Sequence, residues 1–421
     1  MQSAKDAVVS IGRARRTRYA LARSVRGLAF RLPVYCVDET GRPSNLGRLR
    51  PLEPEGCLFE LLTENHWPQD TRTRDGLFPG LPYFISDARP QGFLGRSLAR
   101  QYATSLRVPE NPNHWSDDDI LVAAALVGHD WPGNLIVGEA SLENFQRQRA
   151  VPAMGLGEND RAIAYSSRAL AALAGEVPGS SAGGEFAKFT ATVHTPDGVR
   201  HVIVKFSPAD ASAAARRWAD LLIAEHHACV TLPEIDVEAA PSQLLTADGR
   251  YFLEVERFDR VNELGRRAVV TLAAIEPALL GLGEPHWEMS AAALNARDWL
   301  STEDVSRVAR LALFGRFIGN SDMHNGNLAF FVANQRFTLA PAYDMLPMSF
   351  APTRTGELIE RPLLPLPPPP AHESEWRVAL AGALQYWTTV ASDPRVSADF
   401  RTICNSSRAQ LLALSQRFEL K

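Results

Sequence analysis

The order of elements between residues 160 and 260 constrains the fold most strongly. A glycine-rich turn, Gly179–Glu185, precedes an apolar segment that folds back at Thr195–Gly198, which predicts a β-hairpin ending near Phe206. A helical pattern follows over 209–232, and a second hairpin turns at Ala247–Gly249. A glycine turn followed by hairpin, helix and hairpin predicts a small β-rich lobe.

The rest of the chain divides around this lobe. The first 150 residues are a mixture of short apolar strands and turns, with one predicted helix over 117–127 that Ser116 caps. The chain beyond Asp259 is mostly helical, apart from two short strands near 327–332 and 337–339. The proline-rich run 361–370 is predicted to be extended, either as a plain connection or as a partner-binding segment.

Composition narrows the class of protein. With 421 residues, 45% hydrophobic and 22% charged, the chain is expected to fold as a soluble protein with more than one core. Its four cysteines lie far apart, which favours neither zinc nor a disulfide framework. No apolar run is long enough for a membrane span or a signal peptide, so a cytoplasmic location without membrane contact is expected.

Candidate catalytic residues lie in the polar loop Gly319–Asn327, between an apolar helix and an apolar strand. Asp322 and Asn327 are five residues apart, which is the separation of the Asp and Asn in the protein-kinase catalytic loop. Such a pair is common by chance, so its context carries the argument. Asp344 follows a short strand pair, as the second metal ligand of kinases does, although a turn or helix-capping aspartate is the alternative.

Five segments, in this order along the chain, resemble the HipA-like serine/threonine kinases of bacterial toxin–antitoxin systems. They are Ser180–Glu185, Val202–Phe206, Val255–Arg260, Gly319–Asn327 and Pro341–Asp344. The resemblance implies an α+β, two-lobed protein-kinase-like fold with a β-rich N-lobe, an extra N-terminal β subdomain and a mainly helical C-lobe. The implied boundaries are 1–155 for the N-terminal subdomain, 156–260 for the nucleotide-binding lobe and 261–421 for the catalytic lobe.

The resemblance also assigns residue roles, with ATP and Mg²⁺ as cofactors. Asp322 is the expected base, and Asn327 and Asp344 are the expected Mg²⁺ ligands. The expected nucleotide-binding residues are Ser180, Ser181, Gly183, Gly184, Lys205, Glu256 and Phe258. Ser180 matches a loop serine that is phosphorylated in family members.

Two roles near this centre stay open. Glu225 is a candidate partner for Lys205, although an exposed glutamate on a helix face is the commoner case. His324 is expected to hold its loop by a hydrogen bond, with a direct role as the alternative.

The serine-bearing glycine turn is closer to the YjjJ-type branch of the family than to better-known HipA toxins. A His-containing Glu-Asp segment of those toxins has no clear counterpart between Arg260 and Ser301. The resemblance implies a protein substrate and an antitoxin-like partner. Two alternatives are a DNA-binding regulator with a vestigial kinase fold, and a metal-dependent nuclease built on Asp322, His324 and Asp344.

The N-terminus is strongly basic, with 11 Lys/Arg and 3 Asp/Glu in the first 50 residues of a chain whose net charge is −4. Residues 11–26 resemble the β-wing of a winged helix, which would lie along a phosphate backbone. An ordinary basic strand is the alternative, because a winged helix needs three helices before its wing.

Overall fold

A computed structural model describes residues 8–11, 17–64, 66–71, 73, 75–150, 155–174, 186–283, 286–353, 355–359 and 361–419. Among these residues, no helix combines the length and the apolar character needed to cross a membrane.

In its described residues, the N-terminal region contains a two-stranded ribbon, a five-stranded antiparallel sheet and four α-helices. The ribbon pairs β1 (Val8–Ile11) with β2 (Arg18–Leu21). The sheet has the order β6-β5-β4-β3-β7 and contains β3 (Leu32–Val37), β4 (Pro43–Pro51), β5 (Cys57–Leu61), β6 (Leu77–Phe78) and β7 (Leu135–Val137). The helices are α1 (Tyr83–Ser86), α2 (Gly92–Leu106), α3 (Asp117–Val127) and α4 (Glu139–Ala150).

Helix α3 has the predicted bounds because its capping residues fix its start. The Ser116 hydroxyl accepts from the Asp119 N–H, and the Asp119 carboxylate accepts from the Ser116 N–H at 2.8 Å. Helices α2 and α4 are not predicted by the sequence analysis. Glycines weaken the helical pattern of α2, yet a Cβ at Gly95 would lie 2.5 Å from the Pro90 carbonyl carbon, so this close approach requires glycine.

The central lobe contains both predicted hairpins. Its sheet has the order β11-β12-β10-β9-β8, and β8 alone runs parallel to its neighbour. Its strands are β8 (Leu156–Gly157), β9 (Lys188–Thr195), β10 (Gly198–Phe206), β11 (Ser242–Ala247) and β12 (Arg250–Glu256). Two helices flank the sheet, α5 (Arg161–Ala174) and α6 (Ala213–Thr231). The prediction that α6 starts near residue 209 is wrong, because the Ser212 hydroxyl caps the helix by accepting from the Ala215 N–H at 3.1 Å.

The C-terminal lobe is mainly helical. Its helices are α7 (Leu272–Ile275), α8 (Trp287–Asn295), α9 (Thr302–Phe317), α10 (Glu373–Ser392) and α11 (Ala398–Glu419), with a π-helical turn at Glu276–Leu280. Its strands are β13 (Arg260–Val261), β14 (Gly265–Arg266), β15 (Val269–Thr271), β16 (Ala329–Ala333) and β17 (Arg336–Leu339). β16 starts two residues later than predicted, because Asn325–Asn327 forms a 3-10 turn.

One apolar core joins these regions. It extends from Val34 of β3, through Leu222 of α6, to Phe314 of α9 and Trp387 of α10. The indole N–H of Trp387 donates to the Phe317 carbonyl at 3.2 Å, which satisfies the polar atom of this buried ring. The shared core holds the N-terminal region, the central sheet and the helical lobe around a common cleft.

Candidate active site

A cleft of about 1040 Å³, its open mouth included, lies between the central sheet and the polar loop that follows α9. The central sheet supplies Lys188, Ile203, Lys205 and Val255, and the chain after β12 supplies Glu256 to Asp259. The loop side supplies His324, Asn327 and Asp344. The N-terminal region adds a third wall, which the sequence analysis does not predict: Asp87, Arg89, Gln91 and Pro132.

Lys205 stands at the centre of this cleft. Strand alternation directs it to the cleft, while its neighbours Val204 and Phe206 pack into a separate apolar cluster between the sheet and α5. Its ammonium group lies 2.5 Å from a Glu225 oxygen and 2.6 Å from an Asp344 oxygen. Burial on its own lowers the pKa of a lysine, but Asp344 and Glu225 outweigh it and raise the pKa of Lys205.

Glu225 of α6 is completely buried, so the alternative of an exposed glutamate is wrong. Burial raises the pKa of its carboxyl group, and the nearby Lys205 opposes this rise. Its second oxygen, Oε2, has no hydrogen-bond partner among the described residues. Glu225 therefore holds Lys205 in place through a single oxygen.

Asp344 projects into the cleft from a left-handed backbone conformation, with φ of 52°. The amide of Asn320 donates to its backbone carbonyl at 3.3 Å. Burial alone would raise its carboxyl pKa, but Lys205 and then Lys188 overcome this and lower the pKa to about 2. The group is therefore a carboxylate at neutral pH, the form that binds a hard cation.

Internal hydrogen bonds hold the loop that carries Asp322. The Asp322 N–H donates to the Asn320 side chain at 3.0 Å, and the Asn327 amide donates to the Asp322 carbonyl at 2.8 Å. His324 accepts from the Gly326 N–H at 3.0 Å, which is the loop-holding role expected for it. These contacts fix Asp322 and Asn327 relative to each other.

Asp322 borders a second groove of about 1510 Å³ instead of the cleft itself. His324 lines both spaces and so marks the boundary between them. The groove is also lined by Glu276, Pro277, His286, Trp287, Arg316 and Ser321. The candidate base thus lies on one side of the boundary, and Asn327 and Asp344 lie on the other.

The chain that leaves β12 forms one end of the cleft. Glu256 donates its backbone N–H to the Pro241 carbonyl at 2.8 Å. Pro241 has no N–H with which to return that bond, so the Glu256 carbonyl lacks its usual ladder partner. Phe258 packs against Tyr343 with ring centroids 5.7 Å apart. Glu256 and Phe258 therefore border the same cleft as Lys205.

The four predicted glycine-turn residues Ser180, Ser181, Gly183 and Gly184 lie outside the described residues. Sequence reasoning missed Lys188, which lies directly opposite Lys205 in the sheet. The sequence feature that could have identified Lys188 is the scarcity of lysine, since the chain has only four: Lys5, Lys188, Lys205 and Lys421.

The polar side chains of the cleft suit a Mg²⁺ ion that keeps phosphate and water ligands better than a metal site built from several clustered protein ligands. Within the described part of the chain, no group of three or more His, Cys, Asp or Glu side chains is placed to hold a metal ion. Asp322, His324 and Asp344 therefore do not form the compact set that a nuclease centre needs. A carboxylate at Asp344 and an amide oxygen at Asn327 are the ligand types that Mg²⁺ accepts when phosphate oxygens and water complete its shell.

Comparisons with known proteins agree with this geometry. A family model described as the YjjJ-like toxin middle domain matches residues 28–146, and one described as the HipA-like C-terminal domain matches residues 180–391. Toxin YjjJ of Escherichia coli strain K12 is 36% identical over 419 residues, which is 98% of this chain and 91% of that protein. The chain belongs to the HipA-like family, in its YjjJ-type branch.

A solved structure shows the fold of this HipA-like chain. A chain of the Shewanella oneidensis MR-1 complex of HipA, HipB and operator DNA aligns with a TM-score of 0.53 and 14% identity, over 92% of this chain and 97% of that one. The expected two-lobed, kinase-like α+β fold is confirmed. The N-terminal wall of the cleft, Asp87 to Gln91 and Pro132, belongs to the YjjJ-like middle domain.

Proposed function

We propose that this HipA-like toxin is an ATP- and Mg²⁺-dependent kinase that phosphorylates a serine or threonine of a protein. The observation that carries the proposal is the buried Glu225–Lys205–Asp344 ion-pair group beside Asp322 in the adjoining groove. A lysine held by a helix glutamate and followed by a metal-binding aspartate is the arrangement that protein kinases use for phosphoryl transfer.

Each residue has a role that follows from its position. Lys205 would bind the nucleotide phosphates, while the Glu256 carbonyl and the backbone at Phe258 would bind the base. Asp344 and Asn327 would hold Mg²⁺, which when bound neutralises charge on the phosphates. Asp322 would accept the proton of the acceptor hydroxyl in the groove.

Further proposals follow from the family and from the basic N-terminus. Ser180 would be a site of autophosphorylation, and the protein would act in the cytoplasm. The chain would bind an antitoxin-like partner, since the Shewanella neighbour was solved with HipB and operator DNA. DNA contact through residues 11–26 would use the β1–β2 ribbon, on which Tyr19 is 74% exposed.

Intact-mass analysis after incubation with Mg-ATP tests the kinase. Wild type is expected to gain one or more phosphates, and Asp322→Asn is expected to gain none while still binding Mg-ATP. Asp197→Asn, in the turn between β9 and β10, is the matched control and should behave as wild type. A wild-type protein that binds no nucleotide and gains no phosphate would contradict the proposal, and DNA cleavage with Mg²⁺ alone would favour a nuclease.

DNA binding needs its own measurement. Binding of a random DNA duplex should weaken steeply with salt if arginines contact the phosphates. Replacing Arg23 and Arg26 is a poor test, because both are paired with aspartates of α3. Replacing Arg13, Arg15 and Arg16 together is the better test. Unchanged DNA binding in that variant would exclude DNA contact through the ribbon.

A further inference from the structure

Lysine usage in this chain is unusual. Only four of the 44 Lys and Arg residues are lysines, and two of those, Lys188 and Lys205, face each other across β9 and β10. Arginine has a planar fork of donors, whereas lysine has a compact ammonium group. A chain that uses arginine at nearly all other basic positions keeps the compact cation at both places in the cleft.

The pair is costly to bury. Lys188 is 1% exposed and Lys205 is 2% exposed. Like charges directly opposite each other in a sheet destabilise it, and burial removes both ammonium groups from water. Such a cost is expected where the positive charge serves a ligand.

Two carboxylates, Glu225 and Asp344, lie at different distances from the two lysines. Lys205 lies 2.5 Å from Glu225 and 2.6 Å from one oxygen of Asp344. The other Asp344 oxygen lies 4.0 Å from Lys188. A cation bound to Asp344 would draw that carboxylate away from both lysines, and Glu225 would still hold Lys205. Lys188 itself lines the cleft, within reach of an anion bound there.

The sheet order sets which part of the ligand Lys188 meets. Neighbouring strands run in the order β12, β10, β9, so Lys188 is one strand farther than Lys205 from the Glu256 end of the cleft. One strand spacing is about 4.8 Å. A nucleotide whose base lies at Glu256 would therefore bring its outer phosphates to Lys188.

We infer that Lys188 forms a second anion subsite, which binds the terminal phosphate of a nucleoside triphosphate while Lys205 binds the inner phosphates. This inference rests on the proposed kinase function and adds a specific residue that distinguishes ATP from ADP. It requires that loss of Lys188 weakens binding of the triphosphate and spares the diphosphate.

Calorimetric titration of purified full-length protein with Mg-ATP and Mg-ADP provides the test. Lys188→Met is expected to weaken Mg-ATP binding by about 10- to 100-fold, the range for a lost charge-assisted hydrogen bond, and Mg-ADP binding by less than about threefold. Lys188→Arg, which keeps the charge, should retain part of the preference for ATP. Lys205→Met should weaken both nucleotides.

An unchanged ATP-to-ADP affinity ratio in Lys188→Met would overturn the inference. A wild-type protein that binds neither nucleotide would instead contradict the kinase proposal itself, so the two failures are distinguishable. The apo form of Lys188→Met is expected to unfold at a lower temperature than wild type, because Asp344 and Glu225 then face Lys205 alone. Lys188→Arg, which keeps the charge, separates this loss of stability from the loss of nucleotide preference.

Wild-type protein offers a second measurement that needs no variant. An acyl-phosphate derivative of ATP transfers its acyl group to the amine nearest the terminal phosphate, and the nucleotide leaves with its phosphates. Peptide mass spectrometry is expected to find the label on Lys188 with the ATP reagent and on Lys205 with the ADP reagent. Labelling of Lys205 alone by both reagents would refute the second subsite.

Discussion

Lys205 depends on Glu225 for its position, and the two side chains are 3% and 0% exposed. Replacing Glu225 with alanine leaves two lysines beside the single carboxylate of Asp344. Breaking a buried pair in this way is expected to lower the free energy of unfolding by about 3–5 kcal/mol. Urea denaturation followed by tryptophan fluorescence at pH 7 measures the change.

A double variant is the matched control for this loss. Lys205→Met with Glu225→Leu removes both charges and fills the space with apolar groups, so most of the lost stability should return. A Glu225→Ala protein as stable as wild type would show that the pair does not hold the lobe together.

The sequence predicts some of these residues and not others. Lys205, Asp322, Asn327 and Asp344 stand in short motifs whose spacing along the chain is fixed, and the structure brings three of them to one cleft. The pairing of Glu225 with Lys205 depends on how α6 is rotated against the sheet, which its own sequence pattern does not determine.

Among the elements, the end of β12 is tied to the middle domain by ion pairs to Asp130 and by a hydrogen bond from Gly133 to the buried Asp259. Asp259 bridges Arg257 at 3.0 Å and Arg260 at 2.6 Å, and Arg260 also contacts Asp130 at 2.8 Å. Gly133 donates its N–H to Asp259 at 3.0 Å. The chain bordering the cleft at Glu256 and Phe258 therefore rests on residues from the middle domain.

This link gives a pH prediction. Burial would raise the pKa of Asp259, but Arg257 and Arg260 outweigh it and lower that pKa below its ordinary value. Because the folded-state pKa is lowered, the stabilisation is present above about pH 4, the unfolded value, and is lost as pH falls. Asp259→Asn should cost about 3 kcal/mol at pH 7, and wild type should lose this advantage on acidification.

Urea denaturation between pH 7 and about pH 2 measures that loss. Glu39→Gln is the control, because the Glu39–Arg267 pair also joins the N-terminal region to the C-terminal lobe but is 59% and 44% exposed. That substitution should cost under about 1 kcal/mol. An equal cost for the two substitutions would contradict the importance of burial at Asp259.

Elements with clear end signals are the ones that the sequence predicts well. Ser116 fixes the start of α3, and the turn at Asp248 and Gly249 has positive φ at both residues, as a tight hairpin needs. Helix α2 lacks such a signal: no side-chain hydrogen bond caps it at Gln91.

For the whole molecule, the cleft has walls from the middle domain, the central sheet and the C-terminal lobe. A ligand that fills it should therefore stabilise all three. Mg-ATP at 100 times its Kd is expected to stabilise the folded protein by about 2.7 kcal/mol. Thermal unfolding with ATP, in the presence of Mg²⁺ or EDTA, measures the shift.

Asp344→Asn should lose the part of that shift that depends on Mg²⁺, whereas Asp197→Asn should keep it. A wild-type midpoint that is the same with and without Mg-ATP would count against nucleotide binding in this cleft.

The two-lobed architecture could be predicted because five short motifs occur in a known order. The third wall could not, because its contacts join distant parts of the chain: Arg257 and Asp130 are 127 residues apart. Neither segment carries a pattern that identifies the other. The boundaries near residues 155 and 260 stay predictions.

Pro241 has a consequence for chemical probes. By leaving the Glu256 carbonyl without a ladder partner, it creates an acceptor at the rim of the cleft. A small inhibitor that competes with the nucleotide should carry an N–H donor for this oxygen and a flat ring to lie near Phe258. A series of compounds that differ only in that donor would measure how much affinity comes from a hydrogen bond to the Glu256 carbonyl.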